Sequence, residues 1–331
     1  MTGGLLQLSG VVVDLVHRVE CLPEPGQEVE TSAFMMTAGG GFNAMAAARR
    51  MGAAVTYGGV LGRGPLAEIA LAALRAEGIA LATERRSPID QGSCAVLVEA
   101  NGERSFITHH GAERDVDSAH LESLPVAVHS HALLTGYSLY KRASATAFVA
   151  WLPTLPQGLQ LLFDPGPTVA DIPRATLEHG MARANWISAN ADEARILTGE
   201  TEPFAAAHRL AAGRKGAIVR RGASGCWLSC EGETLHLPGF AVEAIDTNGA
   251  GDAHDGAFIA GLIAGFAPAD AALIANAAAA ISTTVIGPAT APGATQTRQF
   301  LEARGAKLAA PKNWERAQPG GKHAHEKEDR E

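Results

Sequence analysis

A loop of small residues that runs straight into an apolar helix is the feature that most constrains this chain. Residues 246–252 read Asp-Thr-Asn-Gly-Ala-Gly-Asp, and mostly apolar residues follow at 253–262. The first turn of a helix exposes backbone N–H groups without intrahelical partners and carries a partial positive charge. Because Gly249, Ala250 and Gly251 have little or no side chain, an anion can approach these groups closely. The sequence therefore predicts an anion site at a helix start.

An acidic residue stands at the same helix start. Asp252 follows the small residues directly, and a carboxylate in that position can orient a hydroxyl group or accept its proton. Phosphoryl transfer needs both parts, a cradle for negative charge and a group that positions the nucleophile. The alternative is an ordinary helix cap, but a cap alone does not require three small residues before the acid. We expect Asp252 to stay ionised at neutral pH near the positive helix end.

Strand and helix patterns alternate along most of the chain. Helical patterns lie between successive strand patterns, and the strand patterns cover residues 5–16, 55–61, 132–135, 159–163, 186–188 and 217–220. This alternation predicts an α/β fold with a mostly parallel sheet and helices on both faces. Two β-like segments, about residues 17–37 and 92–112, break the rhythm, and Asn101-Gly102 is a strong hairpin signal. We expect them to form a small β-sheet lid.

Composition limits the class of protein and its partners. The chain has 331 residues, of which 47% are hydrophobic, enough for one large domain, which we place at residues 1–305. Residues 306–331 are polar, and we expect disorder there. The net charge of −8 and the aromatic content of 5% argue against a nucleic-acid partner. With no apolar run of membrane-spanning length and no charged leader pattern, we expect a cytoplasmic protein without a membrane partner.

Three motifs carry a resemblance to a known family. They are residues 246–259, the run Gly39-Gly40-Gly41-Phe42-Asn43 followed by Gly52 and Gly62, and Asn190-Ala191-Asp192-Glu193. Together the motifs resemble the PfkB family of carbohydrate kinases, over about residues 5–305. The resemblance implies a ribokinase-like three-layer sandwich with a β-sheet lid, and ATP-dependent phosphorylation of a primary hydroxyl on a sugar or nucleoside. Met45 departs from the family's small residue, and it either narrows the sugar pocket or packs a helix.

The resemblance also implies roles for single residues. Asp252 would be the catalytic base, with an anion hole formed by Gly249, Ala250 and Gly251. The sugar site would contain Asp14, Gly40, Gly41 and Asn43, and His110 could line it from the lid side. The ATP site would be bordered by Arg221, Gly222, Gly225 and Asn276. Asn190 and Glu193 would lie near Mg²⁺, which Glu193 would hold through water. Asp246 and residues 287–290 could hold a monovalent cation such as K⁺. Because relatives often pair through their lid sheets, we expect a homodimer.

Several residues have a simpler interpretation. Asn190 with Glu193 three residues later is also a variant of the helix capping box, and capping and metal-water contacts can coexist. Asp14 lies among β-branched residues, where it either faces the hydroxyl groups of a ligand or meets solvent at a strand end. Arg104 follows the hairpin turn and reads as a solvated lid residue, or as a contact for an anionic substrate.

Other function classes stay open at this point. A nucleoside kinase of the same fold is one alternative, and a non-catalytic module that binds ATP or sugar is another. The run Gly39-Gly40-Gly41-Phe42-Asn43-Ala44 also matches the dinucleotide-binding pattern G-x-G-x-x-A. That interpretation fails because the preceding strand lies far upstream and no acid follows about 20 residues on.

Overall fold

The computed structural model describes residues 3–84, 87–140 and 143–309 of the chain. Most of the predicted disordered segment, from residue 310 onward, lies outside the described residues. In the described part, the strands form one nine-stranded sheet and one four-stranded sheet. No helix in these described ranges is both long and apolar enough to cross a membrane.

The larger sheet is mostly parallel, as predicted. Its strand order is β13-β12-β11-β10-β9-β8-β1-β4-β5, and only the hairpin pairings β11–β12 and β12–β13 are antiparallel. The strands are β1 (Gly4–Gln7), β4 (Ala54–Tyr57), β5 (Ala80–Leu81), β8 (His131–Thr135), β9 (Gln160–Asp164), β10 (Trp186–Asn190), β11 (Gly216–Arg220), β12 (Cys226–Cys230) and β13 (Glu233–Leu237).

Helices cover both faces of this sheet because its strands are apolar on both sides. Leu5 and Leu133 belong to one buried cluster with α1, α2, α8 and α9, whereas Leu6 and Leu134 belong to a second cluster with helices α3 to α7. Adjacent strand residues point to opposite faces, so the two clusters form two helical layers. The helices are α1 (Gly41–Arg50), α2 (Pro65–Ala76), α3 (Ser118–Glu122), α4 (Ala143–Trp151), α5 (Arg174–Arg183), α6 (Ala191–Thr198), α7 (Pro203–Ala211), α8 (Ala250–Ala264), α9 (Pro268–Ser282) and α10 (Ala294–Glu302). The three-layer α/β prediction is confirmed.

The smaller sheet forms the lid. Its order is β3-β2-β6-β7, with β2 at Val11–Arg18, β3 at Ala33–Gly40, β6 at Ser93–Val98 and β7 at Arg104–His109. β6 and β7 form the hairpin that Asn101-Gly102 indicated, with Gly102 at a φ of 86°. Because β3 ends at Gly40 and α1 begins at Gly41, the lid leads directly into the first glycine motif.

The prediction of one strand over residues 5–16 is wrong. The chain leaves the large sheet after Gln7 and enters the lid sheet at Val11. At this crossing the Val11 N–H donates to the Tyr57 hydroxyl (3.2 Å), and the Gly10 carbonyl accepts from the Gly41 N–H (3.0 Å). An unbroken apolar pattern cannot show that a strand changes sheets, since both halves are buried. The crossing places Asp14 in the lid rather than at a strand end.

Candidate active site

The carboxyl ends of the parallel strands converge on one edge of the large sheet. Thr135 ends β8 and pairs in register with Asp164, which ends β9. Asn190 ends β10 and pairs in register with Arg220, which ends β11. In parallel α/β sheets, ligands bind beyond the carboxyl ends of the strands. All four residues line one large cavity.

The predicted small-residue loop forms the start of α8, beside that edge. Gly249 is the residue that precedes the helix, and its φ of 73° is a left-handed conformation that glycine adopts at little cost. The first helical bond runs from the Ala253 N–H to the Gly249 carbonyl at 2.8 Å. Gly251 and Asp252 come before Ala253 in the helix, so their N–H groups have no partner within it. Both residues line the large cavity. This geometry suits an anion.

Asp252 lies where two cavities meet. A cavity of about 680 Å³ and a second of about 320 Å³ share Asp252, Thr135 and Tyr137 in their walls. The Asn43 side-chain amide donates to Asp252 Oδ2 at 3.0 Å and fixes the carboxylate from the α1 side. A group placed in this way can contact one ligand in each cavity.

The environment of Asp252 raises its pKa rather than lowering it. Burial is the largest cause and raises the pKa to about 6, which the Asn43 hydrogen bond opposes. The Asp255 carboxylate also raises it, and the Arg220 guanidinium lowers it. Burial therefore outweighs helix polarity at Asp252, but a carboxyl group with this pKa is still mainly ionised at neutral pH, as we expected from the sequence. A carboxylate with a pKa near the working pH is well suited to accept a proton.

The smaller cavity contains a second carboxylate that faces Asp252. Asp14, in β2, is only 7% exposed. Burial, followed by the charge of Asp252, raises the pKa of Asp14 to about 7. Gly39 makes this position possible, because a Cβ there would lie 2.2 Å from Asp14 Oδ2. The glycine run thus makes room for an acidic side chain in addition to bordering the cavity.

The other predicted acceptor-site residues lie around the same cavity. Gly40, Gly41, Asn43 and His110 line its wall together with Asp14. His110 Nδ1 lies 3.6 Å from a Glu113 carboxylate oxygen. Met45 is fully buried in the core beneath α1 and does not contribute to the wall, so its role is helix packing.

The predicted ATP-site residues lie mainly around the larger cavity. Gly222, Gly225, Asn276, Asn190 and Glu193 all line it. Asn276 donates to the backbone carbonyls of residues 237 and 238, at 3.2 and 3.1 Å, and so holds the loop after β13. Arg221 is exposed and is not among the lining residues, whereas its neighbour Arg220 is. The difference follows from position, because Arg220 is the last residue of β11, whereas Arg221 lies in the turn that follows the strand.

Asn190 and Glu193 form a complete capping box at the start of α6. The Glu193 N–H donates to Asn190 Oδ1 at 2.9 Å, and the Asn190 N–H donates to Glu193 Oε2 at 2.7 Å. No group of three or more potential metal-ligating side chains occurs in the part of the chain that the structure describes. Mg²⁺ in nucleotide sites keeps several waters and binds phosphates with few protein ligands. Glu193 lines the cavity beside Asp164 and Asp252, and both of its carboxylate oxygens already accept hydrogen bonds from Asn190. It therefore fits a Mg²⁺ ion held through water rather than by direct coordination.

A buried ionic network that the sequence did not reveal lies beneath this site. Arg220 donates to Asp164 Oδ2 and to Asp255 Oδ1, both at 3.0 Å, and lies 3.6 Å from Glu193 Oε2. It also donates to the Gly251 carbonyl at 3.2 Å, so it supports the loop from below. The signal was available, since Asp164 and Arg220 are polar residues at the ends of apolar strands.

The network divides charge unevenly among its carboxyl groups. Burial raises the pKa of Asp164 well above its usual range, despite the opposing Arg220 charge. Burial also opposes ionisation of Asp255, but Arg220 outweighs it and holds the pKa of Asp255 low. Burial lowers the pKa of Arg220, but Asp164, Asp255 and Glu193 raise it further, so Arg220 stays charged. One guanidinium therefore stabilises a carboxylate at the base of the anion loop.

Asp246 already has a cationic partner. Its Oδ1 accepts from Arg104 of the lid and from the Asn248 N–H (2.9 Å), and its Oδ2 accepts from the Gly287 N–H (2.8 Å). Arg104 is therefore not a solvated lid residue. A monovalent cation at this carboxylate would meet a guanidinium charge, so these residues do not fit the K⁺ site that the resemblance suggested.

Comparison with known proteins identifies the family. The model of the pfkB family of carbohydrate kinases matches residues 7–294. A protein of Escherichia coli (strain K12), named uncharacterized sugar kinase YegV, is 31% identical over 284 residues, which cover 83% of this chain and 87% of that protein. The chain belongs to the pfkB family of carbohydrate kinases, and it is a sugar or nucleoside kinase.

Solved structures share the fold. Arabidopsis thaliana ribokinase complexed with ribose and ATP has a TM-score of 0.72 and 22% identity, and the match covers 91% of this chain and 99% of that one. Burkholderia thailandensis nucleoside kinase in complex with inosine has a TM-score of 0.76 and 20% identity, and the match covers 94% of this chain and 100% of that one. At these identities the likeness shows the ribokinase-like fold.

Proposed function

We propose that this kinase transfers the γ-phosphoryl group of ATP to a primary hydroxyl of a sugar or sugar-like molecule. The observation that carries the proposal is the position of Asp252 in the wall shared by the two cavities. ATP binds in the larger cavity and the acceptor in the smaller one, so that the hydroxyl and the γ-phosphorus meet at Asp252. The Arabidopsis ribokinase, which binds ribose and ATP, supports this pairing of ligands.

The transfer step uses Asp252 and the start of α8. The acceptor oxygen forms a bond to the γ-phosphorus as the bond between that phosphorus and the β–γ bridging oxygen breaks. The hydroxyl proton passes to the Asp252 carboxylate, and ADP leaves. The amides of Gly249, Ala250 and Gly251 stabilise the negative charge on the migrating group, and the Ala250 N–H exchanges its long bond to the Thr247 carbonyl (3.3 Å) for the phosphoryl group. Because the transition state is loose, the main work of the protein is to position and stabilise.

The cation and the second carboxylate assist in different ways. When Mg²⁺ is bound with ATP, it neutralises phosphate charge, and Asn190 and Glu193 would hold its waters. Asp14 accepts hydrogen bonds from the acceptor's hydroxyl groups, and its position opposite Asp252 fixes which hydroxyl faces the γ-phosphate. The lid carries Asp14, so lid closure both binds the acceptor and excludes water that would hydrolyse ATP.

A nucleoside is the second candidate acceptor. The smaller cavity also has apolar wall residues, Val12, Val96, Phe106 and Phe148, against which a base could pack. The Burkholderia nucleoside kinase, whose structure contains inosine, supports this candidate. A module that binds ATP and sugar without transfer is disfavoured, because it needs no base at the junction of the cavities.

An acceptor screen tests the proposal. ADP release is measured with Mg²⁺-ATP and each member of a panel of aldoses, ketoses, sugar acids and nucleosides, and the product is identified by mass spectrometry. Acceptor-dependent ADP release with one phosphate added to a sugar supports the proposal, and release with a nucleoside supports the second candidate. Binding of ATP and an acceptor without ADP release would favour the non-catalytic module.

A homodimer through the lid is part of the same proposal. Leu15, Met36, Ala95 and Ile107 lie in register across the lid strands, on the face opposite to Asp14. Met36 is 48% exposed and Ile107 is 66% exposed. An apolar sheet face of this kind is usually covered by a partner. A second copy of the lid would bury it.

A further inference from the structure

Arg104 connects the lid to the loop that precedes the anion hole. It begins β7 and shares a sheet face with Phe106 and Thr108, which line the smaller cavity. Its guanidinium forms an ion pair with Asp246, and Nη1 donates to Thr247 Oγ1 at 3.0 Å. The Arg104 side chain is only 19% exposed. The contact therefore joins the lid to the loop before α8, at a site that is largely shielded from solvent.

Asp246 gathers three segments around one carboxylate. Besides Arg104, it accepts the N–H groups of Asn248, in its own loop, and of Gly287, after α9. The Asp246 backbone N–H also donates to the Thr283 carbonyl at 3.0 Å. A carboxylate this buried needs a countercharge. The structure supplies that charge from Arg104 of the lid. Asp246 itself lies three residues before Gly249, which precedes α8.

We propose that the Arg104 guanidinium takes the role that a bound monovalent cation would otherwise have at Asp246. Closing the lid then completes the charge balance of the loop and orders the amides of Gly249, Ala250 and Gly251 for phosphate. The inference rests on the proposed kinase function. Its chemical basis is the planar guanidinium, which can donate to a carboxylate and a hydroxyl at once.

The proposal predicts that the protein binds nucleotide without added K⁺. Preorganised loops bind more tightly because less ordering is needed on binding. Removing Arg104 leaves Asp246 buried without its countercharge, so the loop loses order and affinity for phosphate falls. A small cation that enters the space left by the side chain should restore affinity. Neither effect requires phosphoryl transfer, which separates this proposal from the kinase function.

The experiment measures binding of the Mg²⁺ complex of a non-hydrolysable ATP analogue by calorimetry. Wild type, Arg104→Ala, Arg104→Lys and the surface control Arg174→Ala are compared in potassium chloride, in tetramethylammonium chloride and with added guanidinium, at equal ionic strength. Arg174 pairs with Glu178 on the exposed side of α5. We expect wild type and Arg174→Ala to bind equally in the first two salts. Arg104→Ala should lose affinity by about 10-fold or more in tetramethylammonium, since hydrogen bonds to charged groups contribute more than neutral ones.

The outcomes separate clearly. Recovery of Arg104→Ala by K⁺ or by guanidinium, with little salt effect on Arg104→Lys, supports the proposal. A wild-type protein that needs K⁺ to bind the analogue would overturn it, and so would Arg104→Ala that binds like wild type or that neither cation restores. If Arg104→Ala does not fold, the wild-type salt comparison and Arg104→Lys still decide. Failure of the kinase function would appear only in the acceptor screen.

Discussion

The carboxyl edge of the large sheet and the lid hold their charged groups in opposite ways. At the edge, Arg220 is enclosed by the carboxyl groups of Asp164, Glu193 and Asp255. In the lid, Asp14 stands on a thin sheet whose opposite face is apolar and exposed. A buried network fixes geometry, whereas a thin lid can move. This contrast underlies our proposal that the edge holds the nucleotide and the reacting groups, while the lid selects the acceptor and completes the site.

The largest effect should come from Asp252, where the two regions meet. Asp252→Asn keeps the shape of the side chain but removes the proton acceptor, so kcat should fall by about 10²–10⁴-fold. Affinity for ATP and for the acceptor, measured by calorimetry, should stay close to wild type. Asp192→Asn, an exposed acid on α6, is the matched control and should keep its turnover. A loss confined to KM would place Asp252 in binding instead.

Arg220 should matter most for stability. Arg220→Met leaves buried carboxylates without their cation, and removal of one partner of such a network typically costs about 3–5 kcal/mol in the free energy of unfolding. Urea denaturation at neutral pH measures this loss. Arg174→Met, at an exposed ion pair on α5, should change stability by less than about 1 kcal/mol. Equal stabilities of the two variants would contradict the difference between edge and surface.

Replacing Asp14 should weaken binding of the acceptor and leave binding of ATP unchanged. Asp14→Asn keeps size but loses a charged hydrogen-bond acceptor, so KM for the acceptor should rise by about 10-fold or more. The affinity for ATP should not change, because Asp14 lines only the smaller of the two cavities. Weaker ATP binding in this variant would show that the division of labour between edge and lid is wrong.

pH should move activity and the contribution of Asp14 to stability in opposite directions. Activity needs ionised Asp252, whose pKa is raised to about 6, so kcat/KM should rise as pH increases from 5 to 8. The pKa of Asp14 is raised from an ordinary value of 3.8 to about 7. Its contribution to stability is therefore complete below about pH 3.8 and is lost as pH rises through about 7.

This stability effect can be isolated with one variant. Asp14→Asn removes the titrating group, so its free energy of unfolding relative to wild type should be higher at pH 8 than at pH 5. The expected difference is about 2–3 kcal/mol. Urea denaturation at the two pH values measures it. A difference of the opposite sign would mean that Asp14 gains a cationic partner in the folded protein.

The smallest effect on turnover should come from the outer lid face. Ile107→Asp should convert a dimer to a monomer in sedimentation velocity, because a charge is costly in an apolar interface. Because Ile107 points away from the cleft, kcat should change by less than about 3-fold. Ile196→Asp, at an isoleucine on α6 that is 46% exposed, serves as the control. If wild type sediments as a monomer, the proposed lid dimer is wrong.

Much of the fold could be predicted because its signals are local. Periodic apolar patterns located most strands of the large sheet and most of the helices that cover it. Asn101-Gly102 located the lid hairpin. The division of residues 5–16 between two sheets could not be read, because both halves are apolar and nothing local marks the change of partner. Helix α10 was not predicted either, since only one side of it is buried and its sequence is largely polar.

The site could be predicted where one short motif carried it. Gly249 and Asp252 lie three residues apart in one motif, so the sequence alone predicted an anion site beside an acidic group. Arg220 and Arg104 act through partners 35 and 142 residues away, and pairings at such distances depend on tertiary structure. The same limit explains why the raised pKa of Asp252 could not be predicted. Its largest cause is burial, and burial at this site depends on tertiary structure.

The transfer step itself provides the most direct test of the account. Steady-state turnover can be limited by lid opening, so a rapid-quench experiment is needed, with γ-labelled ATP and saturating acceptor in a single turnover. We expect fast transfer of label to the acceptor in wild type and in Asp192→Asn, and transfer slower by about 10²-fold or more in Asp252→Asn. Transfer at the wild-type rate in Asp252→Asn, with both ligands bound, would contradict it.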